Sequence, residues 1–165
     1  MSSPGSVHRA DELIDGWEAA WSARDPGAFA PLCTADVHYE DPFTPEPLEG
    51  GRALGAHAER LWDAFPDARL EPTGERLWNR RFLAAPCKVL GTHRGELGGL
   101  PPTGRFVVAH AVFYCELDDG RLHRVRGFCD RWDLAVQLGL LPARGTLSER
   151  ALLALRGFGF RVGRR

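Results

Sequence analysis

Residues 106–129, FVVAHAVFYCELDDGRLHRVRGFC, read as two β-strands, Phe106–Leu117 and Arg121–Cys129, folded back on each other. Apolar, β-branched and aromatic residues fill much of both arms, and the Asp-Asp-Gly between them is turn chemistry. The spacing predicts a three-residue loop from Asp118 to Gly120, with Gly120 in the left-handed region and Leu117 opposite Arg121. Counting back from that loop sets Phe113 opposite Val125 and Ala111 opposite Gly127. In the second arm His123, Val125, Gly127 and Cys129 share one face; Leu122, Arg124, Arg126, Phe128 and Asp130 share the other. Two arginines argue against a dry interior. The face with Val107, Ala109, Ala111, Phe113, Val125, Gly127 and Cys129 is therefore expected to point inward. Its side chains are apolar and small, which leaves room for a ligand unless a helix packs tightly onto them. The opposite face, with Val108, His110, Val112, Tyr114 and Phe128, is also partly apolar. A second copy of the chain is its simplest cover, with His110 at the contact.

Upstream the periodicity is helical. From His8 to Ala23, Leu13, Ile14, Trp17 and Trp21 form one stripe. Asp25-Pro26 is a cap and first-turn proline for a short helix through Leu32. Val37, Tyr39 and Asp41 alternate with His38 and Glu40 as a short strand. A proline-rich loop, Pro42 to Gly51, leads to a helix from Arg52 to Ala64. One face of it carries Leu54, His57, Ala58, Leu61, Trp62 and Phe65, and Pro66-Asp67 stops it. Strands Ala68–Asn79 and Phe82–Arg94 precede the hairpin. Helices first and antiparallel strands afterwards define an α+β domain in which helices cross a curved sheet and leave a cleft between the layers. Asp130 suits the N-cap of a short helix, and Thr146-Leu-Ser-Glu149 is a capping box for a last helix ended by Gly157.

The chain has 165 residues, 21 lysines and arginines against 22 acidic residues, and a formal charge of −1. One domain is the default at this length. The charge balance gives no reason to expect nucleic acid. No stretch reaches the roughly 20 apolar residues of a membrane span, and the first residues lack a signal-peptide core. Cys33, Cys87, Cys115 and Cys129 are too far apart for a zinc knuckle or a disulfide framework. They are expected to be reduced thiols in a cytoplasmic protein. The loop Gly95–Gly104 lacks phosphate-loop spacing and suits a lid. Arg161, Arg164 and Arg165 form a tail expected to be solvated.

Several segments together resemble the SnoaL-like polyketide cyclase family of the NTF2-like superfamily. They are Ala64-Phe65-Pro66-Asp67, Gly91-Thr92-His93-Arg94-Gly95, Gly99-Leu100-Pro101-Pro102-Thr103-Gly104-Arg105, Asp119-Gly120, and Asp130 with Gln137-Leu138-Gly139. The resemblance spans roughly residues 10–142. It implies an NTF2-like cone; with residues 1–7 reading as a flexible end, the expected division is one domain over 1–142 and a helical, basic extension over 143–165. It also implies a homodimer without metal or organic cofactor, and ring closure of a polyketide-like, apolar small molecule. Epoxide opening or dehydration occurs on the same fold, and a non-catalytic binding module is a further possibility. Aldol cyclases of the family set an aspartate on the last strand against a histidine on the strand before. Those positions here are Gly127 and Phe113, and neither moves a proton.

The acid and base must then come from elsewhere. Asp41 and Tyr39 share the inward face of the first strand, and the family tends to place a tyrosine and a carboxylate or amide there. A buried carboxylate can act as acid or base; before Pro42 it can equally cap loop amides. His93 falls where relatives can place a pocket histidine, or else it ties down the following loop. Asp41 with His93 or Tyr39 is thus the expected catalytic set. His57, Trp62, Ala111, Phe113, Gly127 and Cys129 are the expected substrate contacts, with His57 and Trp62 equally readable as core. Cys129 has no assured base and reads as packing.

Overall fold

The computed structural model describes residues 4–157, with side chains from Ala10 onward. The arginine tail lies outside the described residues. Helix α1 (Pro4–Ala23) starts four residues before the expected His8, with Pro4 at its first position. Ile14 and Trp17 of its stripe are wholly buried and Trp21 nearly so. Arg24, at φ 57°, ends it. One 3₁₀ turn (Pro26–Phe29) follows, shorter than the helix expected, with Asp25 Oδ1 accepting the Gly27 N–H at 2.8 Å.

Strand β1 (Cys33–Glu40), the short β2 (Leu48–Glu49) and helix α2 (Gly50–Ala64) come next. The expected strand over 68–79 divides into β3 (Arg69–Pro72) and β4 (Leu77–Trp78), both paired with β5 (Phe82–Thr92). The break lets Arg76 reach α1, where it donates to Asp15 at 2.7 Å and Glu18 at 3.0 Å. β6 (Phe106–Asp118), β7 (Arg121–Cys129), α3 (Arg131–Leu138) and α4 (Leu147–Leu155) complete the chain. The sheet order is β2-β1-β7-β6-β5-β3, antiparallel except for the parallel pair β1–β7. The result is an α+β domain with its N-terminal helices on a mainly antiparallel sheet.

The hairpin register differs from expectation by two residues. Asp118 pairs with Arg121, so the loop is only Asp119-Gly120, both at positive φ. A bulge at His123 then adds one residue, and Phe113 faces Gly127 while Ala111 faces Cys129. Two shifts of one residue restore the parity, so the inward face beyond the bulge is the one expected. Before the bulge it is reversed. Leu122 is wholly buried, and His123 points outward to Thr34 at 3.2 Å.

Trp17 anchors the core, with its ring 5.2 Å from Phe29, 5.6 Å from Phe113 and 6.0 Å from Tyr39. Trp62 Nε1 donates to the Trp21 carbonyl at 3.0 Å and ties α2 to α1. Asp130 caps α3 through the Asp133 N–H at 3.0 Å, and Gly139 at φ 84° closes it. Thr146 caps α4, none of whose residues is buried.

Candidate functional site

At the end of β1 the chain turns through Asp41-Pro42-Phe43-Thr44. The turn is held by the Asp41 side chain: Oδ1 accepts the Phe43 N–H at 2.7 Å and the Thr44 N–H at 3.1 Å. This leaves Oδ2 facing inward. It accepts the Tyr39 hydroxyl at 2.8 Å and His57 Nε2 at 2.8 Å. Only 8% of the Asp41 side chain and 2% of the His57 side chain are exposed. Burial pulls the Asp41 carboxyl upward. The bonds from His57, Tyr39 and the Phe43 amide outweigh it and hold the group below the usual carboxylate range. Burial first, then Asp41 itself, push the Tyr39 phenol well above 10.

His57 reaches Asp41 from about two turns into α2, on its buried face among Leu54, Ala58 and Trp62. Its other ring nitrogen, Nδ1, lies 3.4 Å from Arg60 Nη2, one turn along. A guanidinium has no acceptor, and neither has a carboxylate a proton to give here. A ring that donates Nε2–H to Asp41 and meets the Arg60 donor at Nδ1 would be the neutral Nε2–H tautomer, with its Nδ1 lone pair turned toward Arg60.

Gly127 makes this arrangement possible. A Cβ there would lie 3.2 Å from the Asp41 Cβ and 3.3 Å from Phe113 Cε1. The space over the β7 glycine is taken by a carboxylate arriving from β1, on the parallel neighbour strand.

Two apolar hollows adjoin this cluster, of about 90 and 100 Å³. Tyr39, Asp41, Ala111, Phe113, Gly127 and Cys129 line the first, and Trp62 lines the second. Cys129, Phe43 and Leu61 border both. Outside them, between α2, the loop 93–105 and α3, runs an open groove of about 1010 Å³. His57, Arg60, Phe43 and Leu61 belong to its wall. The small hairpin residues do line a void, but the space large enough for a drug-sized molecule lies on the groove side. Phe43 and Leu61 partition the two.

His93 does not join Asp41, in contrast to the sequence expectation. It is wholly buried past the end of β5, where Nδ1 accepts the Thr103 N–H at 3.2 Å and lies 3.1 Å from Thr103 Oγ1. Its ring packs on Phe65, and its Nε2 is buried without a partner. Burial lowers its pKa below 6.5. It lines neither hollow nor the groove. It holds the loop in place, assisted by the Ala64 carbonyl, which accepts the Arg94 and Gly95 N–H groups. His57, read from sequence as a substrate contact or core residue, takes the place beside Asp41. Helical periodicity shows its face but not its partner, which sits on another element.

His110 is exposed on the outer sheet face beside exposed Val112. The four cysteines are free. Burial pushes the Cys33, Cys87 and Cys115 thiols up to about 12 and raises Cys129, so none is a ready thiolate at neutral pH. Among the described residues no cluster of three His, Cys, Asp or Glu side chains could hold a metal ion. No described helix is long and apolar enough to cross a membrane.

The α+β fold, N-terminal helices on a mainly antiparallel sheet, is that of the NTF2-like class. Within that class the chain belongs to the SnoaL-like polyketide cyclase family, whose model matches residues 11–138. AclR from Streptomyces galilaeus is similar over 92% of this chain and 93% of its own, at 24% identity and a TM-score of 0.72. TsrD from Streptomyces laurentii aligns with 86% of this chain over its entire length (100%), at 21% identity and a TM-score of 0.72. A protein of ketosteroid isomerase-like fold from Catenulispora acidiphila, solved with trimethylamine, covers 82% of this chain over 97% of its own, at 17% identity and a TM-score of 0.68. No curated protein matches the chain.

Proposed function

We propose that this protein is an acid/base cyclase that closes a ring in a polyketide-like substrate, using Asp41 and His57 where the family's aldol cyclases use a pair on the hairpin. The observation carrying this reading is the 2.8 Å bond from a buried, ionised Asp41 to Nε2 of His57, a residue that lines a large groove. His57 Nδ1 takes a proton from the carbon next to a carbonyl. Asp41 stabilises the imidazolium so formed and keeps the ring in the productive tautomer. The resulting enolate carbon attacks a second carbonyl of the same molecule, and the imidazolium returns the proton to the new alkoxide. Tyr39 positions Asp41 by donating to Oδ2. The apolar walls fold the chain so that the reacting carbons meet, which can be worth about 7–11 kcal/mol. A second copy of the chain would cover the exposed outer-face residues Phe106, Val112 and Phe128.

The test is a panel of linear poly-β-ketone thioester mimics, with ring closure followed by absorbance and mass. Parent protein should accelerate closure of at least one member over buffer, and His57→Gln and Asp41→Asn should lose most of that acceleration. Equal rates for parent and both variants across the panel would leave a non-catalytic binding module.

A further inference from the structure

We infer that the groove beside His57 is a subsite for a carboxylate on the substrate, held by Arg60 and Arg131; this rests on the acid/base reading above for its place in a reaction, but not for its binding. Both arginines are exposed, and both line the groove. Among the described residues no ion pair joins either to a carboxylate. The contrast is with Arg76, which is clasped by three acids on α1, and Arg126, which pairs with Glu40.

Position within the groove separates the charges. Arg60 touches His57, and Arg131 also borders the recess lined by Asp41 and Gly127. Of the groove's acids, Glu96 is on the loop, where its Oε1 is already engaged by the Gly99 N–H at 2.9 Å, and Asp63 is near the end of α2, with its backbone against Gly95. An anion at the His57 end therefore meets the Arg60 fork, with Arg131 on the wall of the same groove and neither held by a carboxylate.

Such an anion also acts on the dyad. The Arg60 Nη2 contact to His57 Nδ1 is long, at 3.4 Å. A carboxylate offers the guanidinium a stronger acceptor, which draws it off Nδ1 and frees that lone pair for the proton transfer. Arg60 is thus a positioning residue, and substrate charge readies the base.

The test uses naphthalene-2-carboxylate and its neutral methyl ester, titrated into the full chain by calorimetry at fixed ionic strength. The acid should bind roughly ten-fold more tightly than the ester. Arg131→Gln should abolish that preference while leaving the melting temperature and the ester affinity in place, and Arg60→Gln should weaken the acid alone. Raising salt should weaken the acid and spare the ester. Equal affinities in the parent, or a preference that survives Arg131→Gln and Arg60→Gln, would overturn the assignment. Asp41→Asn should keep the preference. Absence of turnover in the parent with the preference intact sinks only the acid/base reading, and absence of the preference with turnover intact sinks only this one.

Discussion

Replacing Asp41 by asparagine keeps the shape and changes one oxygen into an NH₂ group. The remaining oxygen must stay on the Phe43 and Thr44 amides, because those N–H donors cannot be reversed. The new NH₂ then confronts the Tyr39 hydroxyl and His57 Nε2. Tyr39 can rotate and accept. His57 can accept only by moving its proton to Nδ1, where the Arg60 donor stands 3.4 Å away. Two charge-assisted bonds of about 1.5–3 kcal/mol each are exchanged for neutral ones of about 1 kcal/mol, so the expected net cost is about 1–4 kcal/mol. Any turnover resting on the pair should fall by about 10²–10⁴-fold. Because the folded Asp41 carboxyl lies below its ordinary 3.8, its contribution to stability is complete above that value and is lost as pH falls through the folded one. The parent–variant gap in urea midpoint should therefore shrink on acidification below about 4. Nitrogen-15 NMR of the ring, assigned with His57→Gln, should show the Nε2–H tautomer in the parent and its loss in Asp41→Asn. A variant that keeps the Nε2–H tautomer and differs in stability by under about 0.5 kcal/mol would refute the bonding scheme.

Gly127→Ala places a methyl 3.2 Å from the Asp41 Cβ and 3.3 Å from Phe113 Cε1; it should cost about 1–3 kcal/mol and perturb the His57 ring signals, and a neutral result would show the contact to be slack. Asp130→Ala removes the α3 cap and should lower stability by about 1 kcal/mol in denaturant titration, while the tautomer of His57 stays as it is. His93 is buried neutral with a lowered pKa, so the unfolded chain binds its proton first and stability falls as pH drops below 6.5. His93→Gln should flatten that part of the stability–pH curve, and an unchanged slope would assign it to other groups.

The inward face of the hairpin was legible because alternation depends only on parity. The true turn is one residue tighter than expected, and the bulge at His123 restores the count, so Val125, Gly127 and Cys129 face as read. The bulge itself has no local signature: His123 leaves the alternation because Thr34 and Asp36 of β1 lie beside it. The break between β3 and β4 was hidden for the same reason, since Arg76 answers to acids on α1 far away in sequence. Tyr39 and Asp41 could be placed on one face from β1 alone, whereas the pairing of Asp41 with His57 depends on how α2 lies across the sheet. His93 shows the limit of a family pattern: the position is internal, but Thr103 claims its ring.

β1 lies parallel beside β7, with Tyr39 next to Val125 and Glu40 next to Arg126. A parallel neighbour cannot be supplied by a tight turn; nearly the whole domain must be laid down before residue 41 finds its seat on residue 127. The seat of the acid–histidine pair is thus tied to a contact between segments far apart in the chain. Partly folded or nascent forms, however much local helix and hairpin they contain, leave Asp41 without its seat, and loosening of β1 from β7 would undo that seat before the hydrophobic centre gives way.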